Sequence, residues 1–160
     1  MKKLIVFATR HGSVRNAVDI LKEAAGSDTV VADLQRDSVP DPTDFDSVMI
    51  GGSIYMGKIQ KEVMEFCSGF ADSLKAKDLG VFICAGEENE EKRSSVLKKN
   101  IPSQLLDHAR AVGWFGHEVH MEDMGILEKL ALRFAKGVKE SYSSLNEENI
   151  RDFASRMGLA

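Results

Sequence analysis

Apolar residues along this chain form short continuous runs that alternate with longer stretches of helical spacing. The first run, residues 4–8, breaks into the polar segment 9–13, after which apolar side chains return at intervals of three and four residues. These side chains are Val14, Ala17, Val18, Leu21, Ala24 and Ala25. The pattern predicts a buried strand followed by a helix that begins near Ser13 and buries one face.

Four more apolar runs predict strands further along the chain. They occupy residues 29–34, 47–50, 79–85 and 110–116. Continuous apolar runs of this kind are typical of strands that a parallel sheet buries on both faces. The segment 51–57 contains three glycines, which is too many for a regular element, so we expect a loop there.

Helical spacing predicts most of the segments between these strands. One helix is expected over residues 59–74, with Ile59, Val63, Phe66, Cys67, Phe70 and Leu74 on its buried face. Two more are expected near residues 92–99 and 103–108. The last helix buries Ile150, Phe153, Ala154 and Met157, and the preceding sequence Ser144-Leu145-Asn146-Glu147 fits a capping box with Ser144 as the N-cap.

Strands that alternate with helices predict an α/β fold with a doubly wound, five-stranded parallel sheet, arranged as a three-layer α/β/α sandwich. The chain of 160 residues, 43% of them hydrophobic, suits one domain over residues 1–160. The formal net charge of −4 offers no basic face, so no nucleic-acid partner is expected. No apolar stretch approaches the roughly 18–20 residues that span a bilayer, and we expect a cytoplasmic location.

The cysteines and histidines do not predict a metal site. Cys67 and Cys84 each lie within an apolar pattern and are expected to be core thiols, because no C-x-x-C motif is present. No Cys or third His stands near His117 and His120 in the sequence, and we interpret both as loop residues.

Three loops meet in the predicted fold, because the carboxyl ends of parallel strands share one edge of the sheet. Residues 9–13 combine the first amides of a helix with two hydroxyls and Arg10, a set that suits a phosphate group. The loops 52–58 and 85–89 form the other walls. Together they predict a pocket for a flat, phosphorylated ligand, although strand-to-helix turns of this composition also occur without one. The acidic residues that follow position 86 are interpreted as the N-terminal turn of a helix.

The loops resemble those of the flavodoxin family. Residues 5–7 with Thr9 and Gly12 are similar to the N-terminal flavodoxin signature, and Met56-Gly57 resembles the loop beside the isoalloxazine ring in short-chain flavodoxins. The resemblance is nearest to the flavodoxin-like, quinone-linked protoporphyrinogen dehydrogenases, through Thr9-Arg10 with Gly12 and through residues 50–54 with Gly57. It extends over nearly the whole chain and implies a flavodoxin-like fold with FMN as the cofactor.

The resemblance also implies roles for individual residues. Backbone amides of residues 9–14 and the hydroxyls of Thr9 and Ser13 would hold the FMN phosphate. Tyr55 would stack near the flavin ring, the Gly57 carbonyl would face the flavin N5, and the flavin itself would carry the chemistry with no catalytic side chain. The implied cofactor-binding residues are Thr9, Arg10, His11, Gly12, Ser13, Val14, Gly52, Ser53, Ile54, Tyr55, Met56, Gly57, Lys58, Ala85, Gly86, Glu87 and Asn89.

Three departures from the flavodoxin pattern bear on function. Val14 stands where flavodoxins usually carry threonine, so one hydroxyl is lost from the phosphate site and Arg10 offers a replacement. The loop 85–89 has no aromatic residue to cover the second face of the ring, and an open face suits a substrate. Lys58 stands where flavodoxins often carry an acid, and a cation near the ring makes the flavin easier to reduce. Glu87 and Glu88 on the opposite loop act in the other direction, so the sequence leaves the sign of the net effect open.

These features favour an FMN-dependent oxidoreductase similar to the quinone-dependent protoporphyrinogen dehydrogenases, with a quinone or a porphyrin-type molecule as its small-molecule partner. Two alternatives remain. One is a flavodoxin-type carrier of electrons between redox proteins, and the other is a flavodoxin-like domain that has lost flavin binding through Val14. Residues 121–139 predict a basic amphipathic helix. Three interpretations of it are open: a peripheral contact with the inner face of a membrane, a cover over a hydrophobic substrate, or a helix packed on the domain.

Overall fold

A five-stranded parallel sheet forms the centre of the computed structural model, which describes residues 1–10, 12–116, 118–119, 142–143 and 145–159. Its strands follow the order β2-β1-β3-β4-β5. The bounds are Lys3–Phe7 for β1, Val30–Asp33 for β2, Ser47–Ser53 for β3, Asp78–Cys84 for β4 and Ala111–Trp114 for β5. The predicted fold class, with all five strands parallel, is confirmed.

Helices and two short strands connect and flank the sheet. The helices are α1 (Ser13–Ala25), α2 (Lys61–Gly69), α3 (Ala71–Leu74), α4 (Glu90–Asn100), α5 (Ser103–His108) and α6 (Glu147–Arg156), with a 3₁₀ turn at Pro42–Asp44. An antiparallel pair, β6 (Glu118–Val119) and β7 (Tyr142–Ser143), lies between β5 and α6 in the chain. None of the helices in the described ranges is long and apolar enough to cross a membrane.

Alternate side chains of the strands point into two separate hydrophobic layers, as the two-residue period of a strand requires. On one face, α1 and α6 pack against Ile5, Phe7 and their neighbours, including the aromatic cluster of Phe82, Phe115 and Phe153. On the other face, α2, α3 and α5 cover Leu4, Val6 and the alternate residues of β3 and β4. The strand order changes direction at β1, so the crevice between the carboxyl ends of β1 and β3 is the expected place for a ligand.

The glycine-rich segment after Ile50 is partly strand, which corrects the prediction of a loop from Gly51 onward. Gly51 and Gly52 are paired with β4 and buried in β3. The ring of Phe82 lies where a Cβ on Gly51 would stand, and Ile59 and Gln60 crowd the same place at Gly52. Glycine therefore serves close packing at these two positions, and the turn begins only after Ser53.

Two predicted helical features also differ in the structure. The single helix expected over residues 59–74 is two helices, α2 and α3, which are separated at Phe70, and Ile59 is buried ahead of α2. The N-cap of α6 is Asn146, whose side chain accepts a hydrogen bond from the Asn149 amide, and not Ser144. Four of the features interpreted from sequence, namely Ser144, His117, His120 and residues 121–139, lie outside the described residues.

Neither cysteine forms a disulfide and both are buried, which confirms their interpretation as core thiols. Burial raises the pKa of the Cys67 thiol from 9.0 to about 12, because the apolar surroundings disfavour the thiolate. Cys67 is therefore protonated and unreactive at neutral pH. Within the described ranges, no group of three or more His, Cys, Asp and Glu side chains is arranged to hold a metal ion.

The packing at Gly51 makes a prediction about stability. Gly51→Ala places a methyl group against the Phe82 ring inside the sheet, and overpacking of this kind costs about 1–3 kcal/mol in the free energy of unfolding. Gly69→Ala is the matched control, since Gly69 lies in α2 with open space around its Cβ position, and we expect no loss there. Urea denaturation of both variants checks the difference. Equal stabilities for the two variants would contradict the role assigned to Phe82.

Candidate functional site

A cavity of about 340 Å³ lies at the carboxyl ends of β1 and β3, where the first two predicted loops meet. The residues that line it are Thr9, Arg10, Gln35, Tyr55, Met56, Lys58, Ile59 and Gln60. Five of these are among the cofactor-binding residues implied by the sequence, whereas Gln35, Ile59 and Gln60 are not. The size of the cavity lies within the range of small-molecule sites in proteins.

The first loop leaves the start of α1 open. Gly12 occupies the N-cap position with a left-handed backbone, at φ 85°, and no side chain of the described residues caps the helix. The N-caps of α4 and α6, by contrast, are asparagines whose side chains accept a backbone hydrogen bond. Because the first amides of a helix have no acceptor within it, those of α1 are available to an anion. His11, also implied at this site, lies outside the described residues.

The side chains around this loop divide between packing and binding. Val14 is fully buried and packs with Ile5 and Phe7, so only its backbone amide can serve a ligand. The Thr9 amide donates to Gln35 Oε1 at 3.0 Å, and the Thr9 hydroxyl accepts from the Gly12 amide at 3.1 Å. In this structure the Thr9 amide is engaged by Gln35 and the Gly12 amide by the Thr9 hydroxyl, and the role of the amides of residues 9–14 toward a phosphate stays a prediction.

The second loop ends in a tight two-residue turn from Tyr55 to Lys58. The Tyr55 amide donates to the Lys58 carbonyl at 2.9 Å, and the Lys58 amide donates to the Tyr55 carbonyl at 3.0 Å. Met56 and Gly57 both have positive φ, at 52° and 79°, as a type I′ turn requires. Met56 is the only non-glycine residue with positive φ in the described part of the chain, and its side chain is 81% exposed.

Arg10 and Tyr55 join the first two loops. The Arg10 guanidinium carbon lies 3.7 Å from the centre of the half-buried Tyr55 ring, within the range of a cation–π contact. Lys58 stands on the other strand of the same turn and lines the same cavity. Two cationic side chains therefore accompany the aromatic ring at this site.

The Gly57 carbonyl is engaged within the protein. It accepts a hydrogen bond from Asn100 Nδ2 at 3.0 Å, and its place beside a flavin N5 stays a prediction. Asn100 closes α4 and is 5% exposed. Its Oδ1 accepts from the Ile59 amide at 3.0 Å, which ties the segment after the turn to the same side chain.

The resemblance also implied three cofactor-binding residues at the end of β3 and directly after it, namely Gly52, Ser53 and Ile54. Gly52 and Ser53 are buried in β3, and the Ile54 amide donates to the Cys84 carbonyl. Gln60 holds Ser53 at two points, since its Oε1 accepts from the Ser53 amide at 3.0 Å and its Nε2 donates to the Ser53 hydroxyl at 2.6 Å. In this structure these three residues shape the cavity without lining it.

The third loop, residues 85–89, lies at the carboxyl end of β4 and is held by hydrogen bonds from side chains of β5 and α4. The Ala85 carbonyl accepts from Trp114 Nε1 at 2.9 Å, and the Glu87 carbonyl accepts from Arg93 Nε at 2.6 Å. Asn89 caps α4, whose first turn contains Glu90 and Glu91, as the interpretation of a helix N-terminus predicts. Of the implied residues in this loop, Ala85, Gly86, Glu87 and Asn89, none lines the 340 Å³ cavity.

Comparisons with known proteins identify the family. The model of a flavodoxin domain matches residues 4–146. Among solved structures, the chain is similar to the two-electron reduced flavodoxin of Megasphaera elsdenii, at TM-score 0.61 and 17% identity, with 100% of each chain covered. It is also similar to oxidised Flavodoxin 1 of Bacillus cereus, at TM-score 0.56 and 13% identity, covering 99% of this chain and 97% of that one.

A third similarity is to part of a larger protein. The flavo di-iron protein of Thermotoga maritima matches at TM-score 0.60 and 15% identity, with 98% of this chain and 35% of that chain covered. A search of curated protein sequences finds no match. The structural similarities, all at low identity, show the fold, and the family model covers most of the chain. The chain therefore belongs to the flavodoxin domain family, whose cofactor is FMN.

Proposed function

We propose that this chain is an FMN-dependent oxidoreductase that oxidises a porphyrinogen-type substrate and passes the electrons to a quinone. The observation that carries the proposal is the cavity between the open start of α1 and the Tyr55–Lys58 turn. The resemblance of the first two loops to quinone-linked protoporphyrinogen dehydrogenases supports the substrate class. The absence of an aromatic residue from the loop 85–89 supports it too, because this loop leaves room on the second face of a flavin ring.

The residues of the site fit FMN. The amides of Ser13, Val14 and Arg15 at the start of α1 would hold the phosphate, with the Ser13 hydroxyl beside them. Glycine is needed at position 12 because its φ of 85° lies in the left-handed region, which residues with a side chain disfavour. Close packing is not the reason, since no atom of the described residues lies within 4 Å of its Cβ position. When bound, FMN supplies the redox chemistry through its N5, and the protein binds and orients it.

Charge at the site sets how readily the ring accepts electrons. Arg10 and Lys58 both line the cavity, and cations stabilise the negative charge that reduction places on a flavin. Both side chains are exposed, so water and salt weaken their effect. The side chains that hold the loops, Gln35 and Gln60, are neutral and add no charge to the site.

A carrier of electrons between proteins is the second candidate, favoured by the match over the whole chain to flavodoxins. A carrier is expected to accept electrons in two separate one-electron steps, the second at very low potential. An oxidase of a small molecule is expected to be reduced in one two-electron step at moderate potential. A redox titration followed by visible absorption separates the two candidates.

The substrate class is tested with anaerobic FMN-loaded protein. We expect protoporphyrinogen to bleach the visible absorption of the oxidised flavin and a quinone to restore it. Buffer with free FMN is the control for direct reaction. Flavin that stays oxidised in the presence of the porphyrinogen removes the substrate class, while the assignment of FMN as cofactor stands.

The phosphate site is tested by comparing FMN with riboflavin, which has the same ring without the phosphate. Ser13→Ala removes a hydroxyl from the site of a charged group, and such a hydrogen bond is worth about 1.5–3 kcal/mol, or roughly a tenfold to hundredfold loss of FMN affinity. Riboflavin affinity is expected to stay unchanged. Fluorescence quenching measures both, and an equal loss for the two ligands would contradict a phosphate at the start of α1.

The contribution of Arg10 is tested through the midpoint potential. Arg10→Ala removes a cation beside the Tyr55 ring, so FMN becomes harder to reduce, and we expect the two-electron potential to fall by roughly 20–30 mV. Lys22→Ala is the matched control, because this exposed lysine lies in the last turn of α1, about 13 Å along the helix from Ser13. An identical potential for the wild type and Arg10→Ala would show that the guanidinium does not act on the ring.

A further inference from the structure

Asn100 is the one residue of α4 that is buried, and every polar atom of its side chain is engaged. Oδ1 accepts from the Ile59 amide at 3.0 Å, and Nδ2 donates to the Gly57 carbonyl at 3.0 Å and to the Val96 carbonyl at 2.8 Å. Two of these partners lie 41 and 43 residues away in the sequence. A single carboxamide therefore fixes the end of α4 to the second loop of the site.

The turn that Asn100 holds is strained. Met56 has a left-handed backbone at φ 52°, which is unfavourable for a residue with a side chain. Such a conformation persists where surrounding interactions over-determine it. The hydrogen bonds between Tyr55 and Lys58 close the turn, and those of Asn100 anchor it on both sides of Lys58, at Gly57 and at Ile59.

The same turn supplies much of the cavity wall. Tyr55, Met56, Lys58 and Ile59 all line the cavity, whereas Asn100 does not. Any effect of Asn100 on a bound ring therefore passes through the turn. The helix that carries Asn100 also holds the third loop, because Arg93 Nε donates to the Glu87 carbonyl.

We propose that Asn100 is a positioning residue for the flavin ring: it holds the Tyr55–Lys58 turn in the conformation that forms the ring site before any ligand binds. The proposal rests on the proposed function in one respect, namely that the flavin ring occupies the 340 Å³ cavity. A site that is preformed binds more tightly, because the ligand does not have to order the turn. Loss of Asn100 should therefore weaken binding of the ring and leave the phosphate contacts unchanged.

Two variants of Asn100 separate its contacts. Asn100→Ala removes all three hydrogen bonds. Asn100→Asp has nearly the same shape and retains an acceptor for the Ile59 amide, but at neutral pH it has no donor for the Gly57 carbonyl. Asn146→Ala is the matched control, since it removes a helix-capping asparagine from α6 and costs stability without touching the turn. Asn100→Asp also keeps the test possible if Asn100→Ala does not fold.

Fluorescence quenching with FMN and with riboflavin measures the effect on binding. We expect both Asn100 variants to lose roughly tenfold in affinity, by the same factor for the two ligands, because the ring and not the phosphate is affected. Asn146→Ala should bind both as the wild type does. Hydrogen exchange of the flavin-free protein gives a second measurement: the Ile59 amide should exchange faster in Asn100→Ala and stay protected in Asn100→Asp.

Wild-type affinities in both Asn100 variants would overturn the proposal, as would an unchanged Ile59 exchange rate in Asn100→Ala. A loss confined to FMN would also overturn it, since riboflavin shares the ring. If the wild-type chain binds neither flavin, the proposed function fails and the flavin role of Asn100 fails with it. The exchange of Ile59 in that case still shows whether Asn100 holds the turn.

Discussion

The peptide N–H groups at the start of α1 are the constraint on which the arrangement of this site depends. Gly12 turns the chain into the helix without a side-chain cap, directly after the buried strand β1. The sheet order places β1 beside β3, so the open amides and the Tyr55–Lys58 turn lie at one edge. An anionic group is the natural partner for such amides, and the phosphate of FMN satisfies both the charge and the position.

Neutral carboxamides hold the loops around this helix start. Gln35 engages the Thr9 amide, Gln60 holds Ser53 at two points, and Asn100 anchors the turn at Gly57 and Ile59. A carboxamide offers a donor and an acceptor without a charge, so it can fix a loop without placing a net charge beside a redox group. Different residues therefore hold the loops and supply the charge: the carboxamides hold the loops, and Arg10 and Lys58 supply positive charge at the cavity.

The sequence predicts those features that local patterns encode. The five strands and the start of α1 at Ser13 follow from apolar runs and helical spacing. Gly51 is misassigned to a loop because the reason for glycine there, the ring of Phe82, comes from another strand. The N-cap of α6 is misplaced because the sequence before it offers more than one good capping residue, and Asn146 is the one used.

The supporting residues of the site could not be predicted in this way. Gln35 and Gln60 lie in polar segments that carry no motif, and Asn100 reaches partners about 40 residues away. Val14, by contrast, could be singled out from the sequence, because it departs from the flavodoxin pattern. The structure adds that the side chain belongs to the core, which leaves its backbone amide for the ligand.

FMN is expected to bind at the carboxyl edge of β1 and β3, with its phosphate at the start of α1. A titration of the ¹⁵N-labelled chain with FMN, followed through the amide resonances, tests this placement. We expect shifts concentrated at residues 12–15 and 55–60, and we expect riboflavin to reproduce only the second group. Shifts confined to another face of the domain, or a spectrum that FMN leaves unchanged, would contradict it.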